Sequence, residues 1–167
     1  MENEAPADPT TTTYNILFVC TGNTCRSPMA EAVARAELER RGWQHVQVGS
    51  AGTSTEPGLG AADHAVSVAG RRGIDLAGHA SRPLDETLVD WADLVLVMSP
   101  SHRFAVEQLG GGGKVALLGD FAAGEDGAGE PVPDPYGGSF RVYEETLLEL
   151  ERLIGAVMDR LAPILHP

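Results

Sequence analysis

Apolar positions along the chain fall into two kinds of run. The short, nearly unbroken ones, Tyr14–Val19, Val46–Val48, Asp93–Met98 and Val115–Leu118, read as buried strands of a parallel sheet. Between them, apolar side chains recur every three or four positions, the period of a helix with one buried face. Pro28–Arg41 puts Met29, Ala32, Val33 and Ala36 on such a face, ends on Arg40 and Arg41, and stops at Gly42. A basic last turn followed by glycine is a helix ending. A second helix over 61–72 closes at Gly73, a short third lies near 84–91, and Ser99-Pro100 opens a fourth that runs to Gly110. The last helix, 139–161, spaces Tyr143, Leu147, Leu150, Ile154, Val157 and Leu161 by fours and threes. Val46–Val48 runs on into Gly49-Ser50-Ala51-Gly52, and the segments 74–83 and 119–133 are irregular. The second of these is a long Gly-, Ala- and acid-rich loop, of a length that is usually functional or mobile. Residues 1–13, with Pro6, Pro9 and a run of four threonines, read as a disordered tail ahead of one domain over 14–167. Strands alternating with helices predict an α/β domain on a mostly parallel sheet, with its site at the carboxyl ends of the strands.

The first strand-to-helix junction carries the chemistry: Cys20-Thr21-Gly22-Asn23-Thr24-Cys25-Arg26-Ser27-Pro28. Ser27 suits the N-cap and Pro28 the first helical position. A loop placed there offers free backbone N–H groups and a partial positive charge to an anion. Cys20 stands at its entry and Arg26 at its exit, with five residues between. The helix end and the arginine would stabilise a thiolate on Cys20. Arg26 can fork two N–H groups onto a phosphoryl group. The N–H groups of Thr21 to Arg26 can curl around one tetrahedral oxyanion, with the sulfur in line with phosphorus. Asn23 tolerates the left-handed backbone that such a curl needs. Cysteine at the end of a strand is ordinarily small core filler; the strand, Gly-containing turn and helix start around it are what point to a nucleophile. Ser27 can also donate its hydroxyl to the Cys20 sulfur.

Composition narrows the partners. At 167 residues and 43% hydrophobic, the chain makes one domain with a proper core, and no run approaches the ~20 apolar residues of a membrane span. Its formal net charge is −12, from 24 acidic and 12 basic side chains, which argues against nucleic acid or an anionic membrane as partner. Phosphate must therefore be captured by local geometry at Arg26. The acidic N-terminus lacks the basic and apolar parts of a secretion signal, so a cytoplasmic location is expected. Two cysteines make no disulfide framework. No His/Cys/Asp/Glu cluster has metal-ligand spacing, so no metal or other cofactor is expected, and a monomer is the expected state. Arg26, with no lysine pattern, excludes a nucleotide-binding loop of the Gly-x4-Gly-Lys-Ser/Thr kind.

The Cys20–Pro28 sequence resembles the phosphate-binding loop of the low-molecular-weight protein-tyrosine-phosphatase family. That family has its loop near the chain start and an Asp-Pro pair near the chain end, supplied here by Asp134-Pro135-Tyr136. The likeness runs from Tyr14 to about Leu161. It implies a four-stranded parallel sheet in order 2-1-3-4 with helices on both faces, and a protein phosphatase working through a cysteinyl-phosphate on Cys20. Thr21, Gly22, Asn23, Thr24, Cys25, Arg26 and Ser27 would form the phosphate-binding loop. It assigns the general acid, and then the general base, to Asp134, although Asp-Pro-Tyr-Gly-Gly is also ordinary turn chemistry. Tyr136 would wall the cleft. Ser50 and His79 match a Ser and a His that hydrogen-bond to the loop Asn, here Asn23; the other four histidines carry no motif. Cys25 is expected to resolve a sulfenic acid on Cys20 as a reversible disulfide.

The family contains phosphotyrosine phosphatases, protein-arginine phosphatases and, in a related branch, arsenate reductases. Thr24, just before the second loop cysteine, resembles the arginine-directed bacterial members, whereas tyrosine-directed ones commonly carry Ile. Asp134-Pro-Tyr-Gly-Gly-Ser139 agrees, since tyrosine-directed members often have a second aromatic after the first. A hydroxyl at Thr24 could orient the hydrolytic water, and a negative surface favours a cationic leaving group. Phosphoarginine in protein substrates is therefore favoured, with phosphotyrosine the alternative. Arsenate reduction needs cysteines beyond Cys20 and Cys25 to carry oxidation outwards, so it ranks last.

Overall fold

Seven residues, Tyr14–Cys20, form the first strand, β1, and everything from Ile16 onward in it is buried. The computed structural model describes residues 13–165, so the expected tail lies, apart from Thr13, outside the described residues. After β1 come α1 (Arg26–Arg41), β2 (Val46–Gly52), α2 (Asp63–Arg71), α3 (Glu86–Trp91), β3 (Leu94–Val97), α4 (Pro100–Gln108), β4 (Val115–Leu117), α5 (Leu118–Ala123) and α6 (Phe140–Leu165). The strands are all parallel, in the order β2-β1-β3-β4, as the resemblance implied.

Burial explains why β1 reads as an unbroken apolar run. Ile16 and Phe18 face one side, against Met29 and Val33 of α1 and the stripe Leu147, Leu150, Ile154 and Val157 of α6. Leu17 and Val19 face the other side, with Val89 of α3 and Val106 of α4. A central strand covered on both faces has no polar side to show. In register, Phe18 lies between Ser50 on β2 and Leu96 on β3, so the carboxyl ends of β1, β2 and β3 share one edge of the sheet.

Three expectations need correction. First, α1 begins at Arg26, with Cys25 at the N-cap and making no side-chain cap bond, not at Ser27-Pro28. The curl of the loop brings the backbone into helical register early, and the Ser27 hydroxyl lies beside the Cys20 sulfur instead. Pro28 still falls in the first turn, where amides lack an intrahelical partner. Second, the segment expected to be irregular from 119 begins with α5, six residues ending at Gly124 with φ 81°. One and a half turns are too short to show a period. The chain then folds back: Asp120 Oδ1 accepts the Gly129 N–H at 2.8 Å, and the two backbones pass so closely that a Cβ on Gly129 would sit 2.1 Å from the Gly119 carbonyl carbon. Third, α6 continues to Leu165 with Pro163 inside it, beyond the expected end at 161. Among the described residues, no helix is long and apolar enough to cross a membrane.

Candidate active site

Cys20 is the last residue of β1, buried at the sheet edge where the loop 21–25 turns into α1. Gly52, its neighbour on β2, lets the loop come close. A Cβ there would lie 2.6 Å from the Thr21 carbonyl oxygen and 3.0 Å from the Asn23 nitrogen. Thr53 and Ser54 then donate their N–H groups to the carbonyls of Cys20 and Thr21, each at 2.9 Å.

Asn23 holds the curl. Among the described residues it is the one non-glycine with positive φ, 55°, and it is fully buried. Its Nδ2 donates to Ser27 Oγ at 2.8 Å and to Ser50 Oγ at 2.9 Å. Its Oδ1 accepts the Arg82 N–H at 2.8 Å, and its carbonyl oxygen lies 2.7 Å from His79 Nε2. Ser50 and His79 thus meet Asn23 as expected, though His79 meets the backbone and not the side chain. Ser50 in turn donates its hydroxyl hydrogen bond to Glu31 Oε1 at 2.6 Å. Glu31 and Arg82 were not foreseen, because nothing local in sequence marks them.

The sulfur of Cys20 has Ser27 Oγ at 2.9 Å and accepts the Ser27 N–H at 3.4 Å. Asn23 Nδ2 donates to that hydroxyl, so the Ser27 proton can turn toward the sulfur, with the Ala51 carbonyl at 3.4 Å as its longer alternative. Arg26, at 5% exposure, donates from Nη1 to the Val132 carbonyl at 3.0 Å and from Nη2 to Thr21 Oγ1 at 3.4 Å. Its Nε has no partner among the described residues. An unpaired N–H on a buried cation is costly, and an anion in the loop would satisfy it.

Asp134 stands opposite, its Oδ2 3.6 Å from Arg26 Nη2, while Oδ1 accepts the Tyr136 N–H at 3.0 Å. One oxygen makes the turn and the other faces the cation, so the turn reading and the acid reading describe the same side chain. Cys20, Arg26 and Asp134 share a cavity of about 220 Å³ walled by Thr21, Thr24 and Tyr136, with Tyr136 exposed at the mouth. Larger hollows of about 450 and 500 Å³ lie elsewhere, but neither contains a cysteine. The hollow of about 450 Å³ includes Ser50 and His79. Among the described residues, no group of His, Cys, Asp or Glu side chains is arranged to hold a metal ion.

Cys25, buried at the same cavity, has its sulfur 3.3 Å from the Tyr143 hydroxyl and 3.8 Å from Thr24 Oγ1. Burial pushes its thiol pKa up, against the lowering effect of those two bonds. Burial likewise raises the Tyr143 phenol, and its bond to Cys25 adds to that. His102, also unforeseen, is buried beside the loop with Nε2 2.9 Å from Thr21 Oγ1. Burial first and the Arg26 charge second hold its pKa down to about 4. Its sequence signal was indirect: the Ser99-Pro100 helix start sets it one turn beyond the end of β3.

Comparison with known proteins fits this geometry. Residues 15–163 match the family described as low molecular weight phosphotyrosine protein phosphatase. The chain is 42% identical over 149 residues to a protein-arginine-phosphatase of Bacillus subtilis (strain 168), covering 88% of this chain and 96% of that one. It is 38% identical over 158 residues to a low molecular weight protein-tyrosine-phosphatase of Streptomyces coelicolor, covering 89% and 96%. Among solved structures, a YwlE arginine phosphatase mutant, in which a serine replacing cysteine in the active site is phosphorylated, superposes with a TM-score of 0.83 at 41% identity, covering 90% of this chain and 97% of that one.

Proposed function

For a chain that belongs to the low molecular weight phosphotyrosine protein phosphatase family, we propose phosphoarginine in protein substrates as the group hydrolysed, with Cys20, Arg26 and Asp134 as the catalytic residues. The Cys20 thiolate attacks phosphorus and forms a cysteinyl-phosphate, while Asp134 gives its proton to the departing nitrogen. The loop N–H groups and Arg26 hold the three equatorial oxygens as charge spreads over them. Asp134 then takes a proton from water, which attacks the cysteinyl-phosphate and releases inorganic phosphate. Ser27 steadies the sulfur as it leaves.

One observation carries this reading: Arg26, a buried guanidinium whose Nε–H has no partner among the described residues, lines the same cavity as Cys20. The choice of phosphoarginine is supported by Thr24 on the cavity wall and by the single aromatic at Tyr136. The name of the Bacillus subtilis (strain 168) relative agrees with it. Phosphotyrosine is the second reading, favoured by the exposed ring of Tyr136 at the mouth, on which a substrate ring could stack. The test is kcat/KM on matched phosphoarginine and phosphotyrosine peptides, for the wild type and Thr24→Ile. Phosphoarginine is expected to be preferred by the wild type, with Thr24→Ile moving the preference toward phosphotyrosine. A wild type that prefers phosphotyrosine, with no effect of the substitution, overturns the substrate assignment.

A further inference from the structure

His102 is the third residue of α4 and only 2% exposed, and the reaction above gives it nothing to do. Its Nδ1 lies 3.2 Å from the Ser99 backbone nitrogen. A backbone N–H can only donate, so Nδ1 is the acceptor. The neutral ring, which burial favours, then carries its hydrogen on Nε2 and donates it to Thr21 Oγ1 at 2.9 Å. The same oxygen receives a longer N–H from Arg26 Nη2 at 3.4 Å. With both lone pairs engaged, the hydroxyl hydrogen must point a third way, and no acceptor among the described residues takes it. Thr21 lines the cavity that holds Cys20 and Asp134, and its hydroxyl sits beside the guanidinium nitrogen nearest to Asp134.

We propose that Thr21 is a further phosphoryl ligand: its hydroxyl donates to an equatorial phosphoryl oxygen, and His102 is the positioning residue that fixes its direction. This rests on the reading of Cys20 as nucleophile in the same cavity. A hydroxyl already turned by two fixed donors needs no reorientation when charge develops. His102 stays neutral through the cycle and exchanges no proton with the substrate.

The test is steady-state kinetics on an aryl phosphate and a phosphoarginine peptide. Thr21→Val is expected to lower kcat by roughly ten- to hundredfold with KM little changed, the loss of one donor to a charged oxygen. Thr21→Ser, which keeps the hydroxyl, is expected to recover most of that loss. His102→Leu is expected to reduce kcat in the wild type and to have no further effect in the Thr21→Val background, since its action passes through the hydroxyl. His102→Gln, which restores an N–H donor near Nε2, is expected to rescue. A Thr21→Val enzyme with wild-type kcat overturns the proposal, as does a His102→Leu loss repeated in full without the hydroxyl. Cys20→Ser is assayed alongside. If it is inactive while Thr21→Val is unimpaired, this inference alone fails; if it turns over at the wild-type rate, the reading of the site fails and this inference with it.

Discussion

Ser27 Oγ stands 2.9 Å from the Cys20 sulfur and takes its own hydrogen bond from Asn23 Nδ2 at 2.8 Å. With that amide donating to its oxygen, the serine hydroxyl keeps its own proton to offer, to the sulfur or, at a longer 3.4 Å, to the Ala51 carbonyl. Ser27→Ala removes that proton, and the step in which sulfur leaves phosphorus suffers most. Breakdown of the cysteinyl-phosphate is expected to slow by roughly ten- to hundredfold, so that rapid mixing with an aryl phosphate shows a burst of phenol that is larger, relative to steady turnover, than in the wild type. A Ser27→Ala enzyme with unaltered burst and turnover contradicts this role.

Asn23 combines a left-handed backbone with hydrogen bonds to Ser27, Ser50, Arg82 and His79. Asn23→Ala leaves the buried partners unpaired and keeps the unfavourable φ, for a loss of about 3 kcal/mol. Asn23→Gly relieves the backbone by about 1 kcal/mol but not the lost bonds. Urea unfolding is expected to rank the stabilities wild type, Gly, Ala. An Ala variant as stable as Gly would show that the backbone is unstrained.

Gly52→Ala is expected to disable catalysis while the sheet survives. The added Cβ would press on the Thr21 carbonyl and Asn23 nitrogen, which are backbone atoms with no rotamer to escape into. The loop must open around the sulfur, so kcat is expected to fall at least tenfold, with the far-ultraviolet circular dichroism unchanged. Wild-type kcat would mean that β2 yields and the loop does not.

His102 should make stability depend on pH. Its pKa in the fold is about 4, against 6.5 unperturbed. Burial lowers it most, the Arg26 guanidinium lowers it further, and the Asp134 carboxylate opposes both. Between those values the unfolded chain binds the proton and the fold does not. The contribution is therefore complete above about pH 6.5 and is lost as pH falls toward 4, about 3 kcal/mol across the window. Unfolding free energies measured at pH 7 and 4.5 are expected to differ less in His102→Gln than in the wild type. Equal pH dependence in the two would exclude His102 as the source.

Oxidation tests the two cysteines. Peroxide converts the Cys20 thiolate to a sulfenic acid, and attack by the Cys25 thiol, with loss of water, would give a disulfide. Cys25 is held as a thiol by burial, so it is a slow first target. The Cys25→Ser enzyme is expected to recover less activity on thiol reduction after peroxide. Equal recovery in both proteins removes the resolving role.

Much of the scaffold was legible because it rests on patterns the chain repeats. The apolar runs at 14–19 and 93–98 mark strands covered on both faces, and the fours and threes of Tyr143 to Leu161 mark the helix laid across one of them. Cys20, Arg26 and Asp134 were legible as a motif followed by an Asp-Pro pair. What escaped notice is brought in by register: Arg82 and His102 reach the loop from the segment after α2 and the start of α4, and Glu31 of α1 reaches it through Ser50, each by one side chain or one N–H. No local pattern announces such a contact. Ser27 was misplaced at the helix cap because capping and bonding to sulfur call for the same residue type, and only the backbone distinguishes them.

Val132 faces two ways. Its N–H bonds to the Met98 carbonyl at the end of β3, at 2.9 Å, and its carbonyl takes Arg26 Nη1. Two positions before Asp134, the chain is thus riveted both to the frame of the sheet and to the anion's cation. Upstream, Gly129 is itself tied to Asp120 and laid on Gly119, so the turn from Gly124 to Ala128 is the part that can lengthen or shorten without shifting the address of the carboxylate. Variation among enzymes built on this plan should accumulate on the upstream side, where it changes the outer surface and leaves the reaction coordinate untouched.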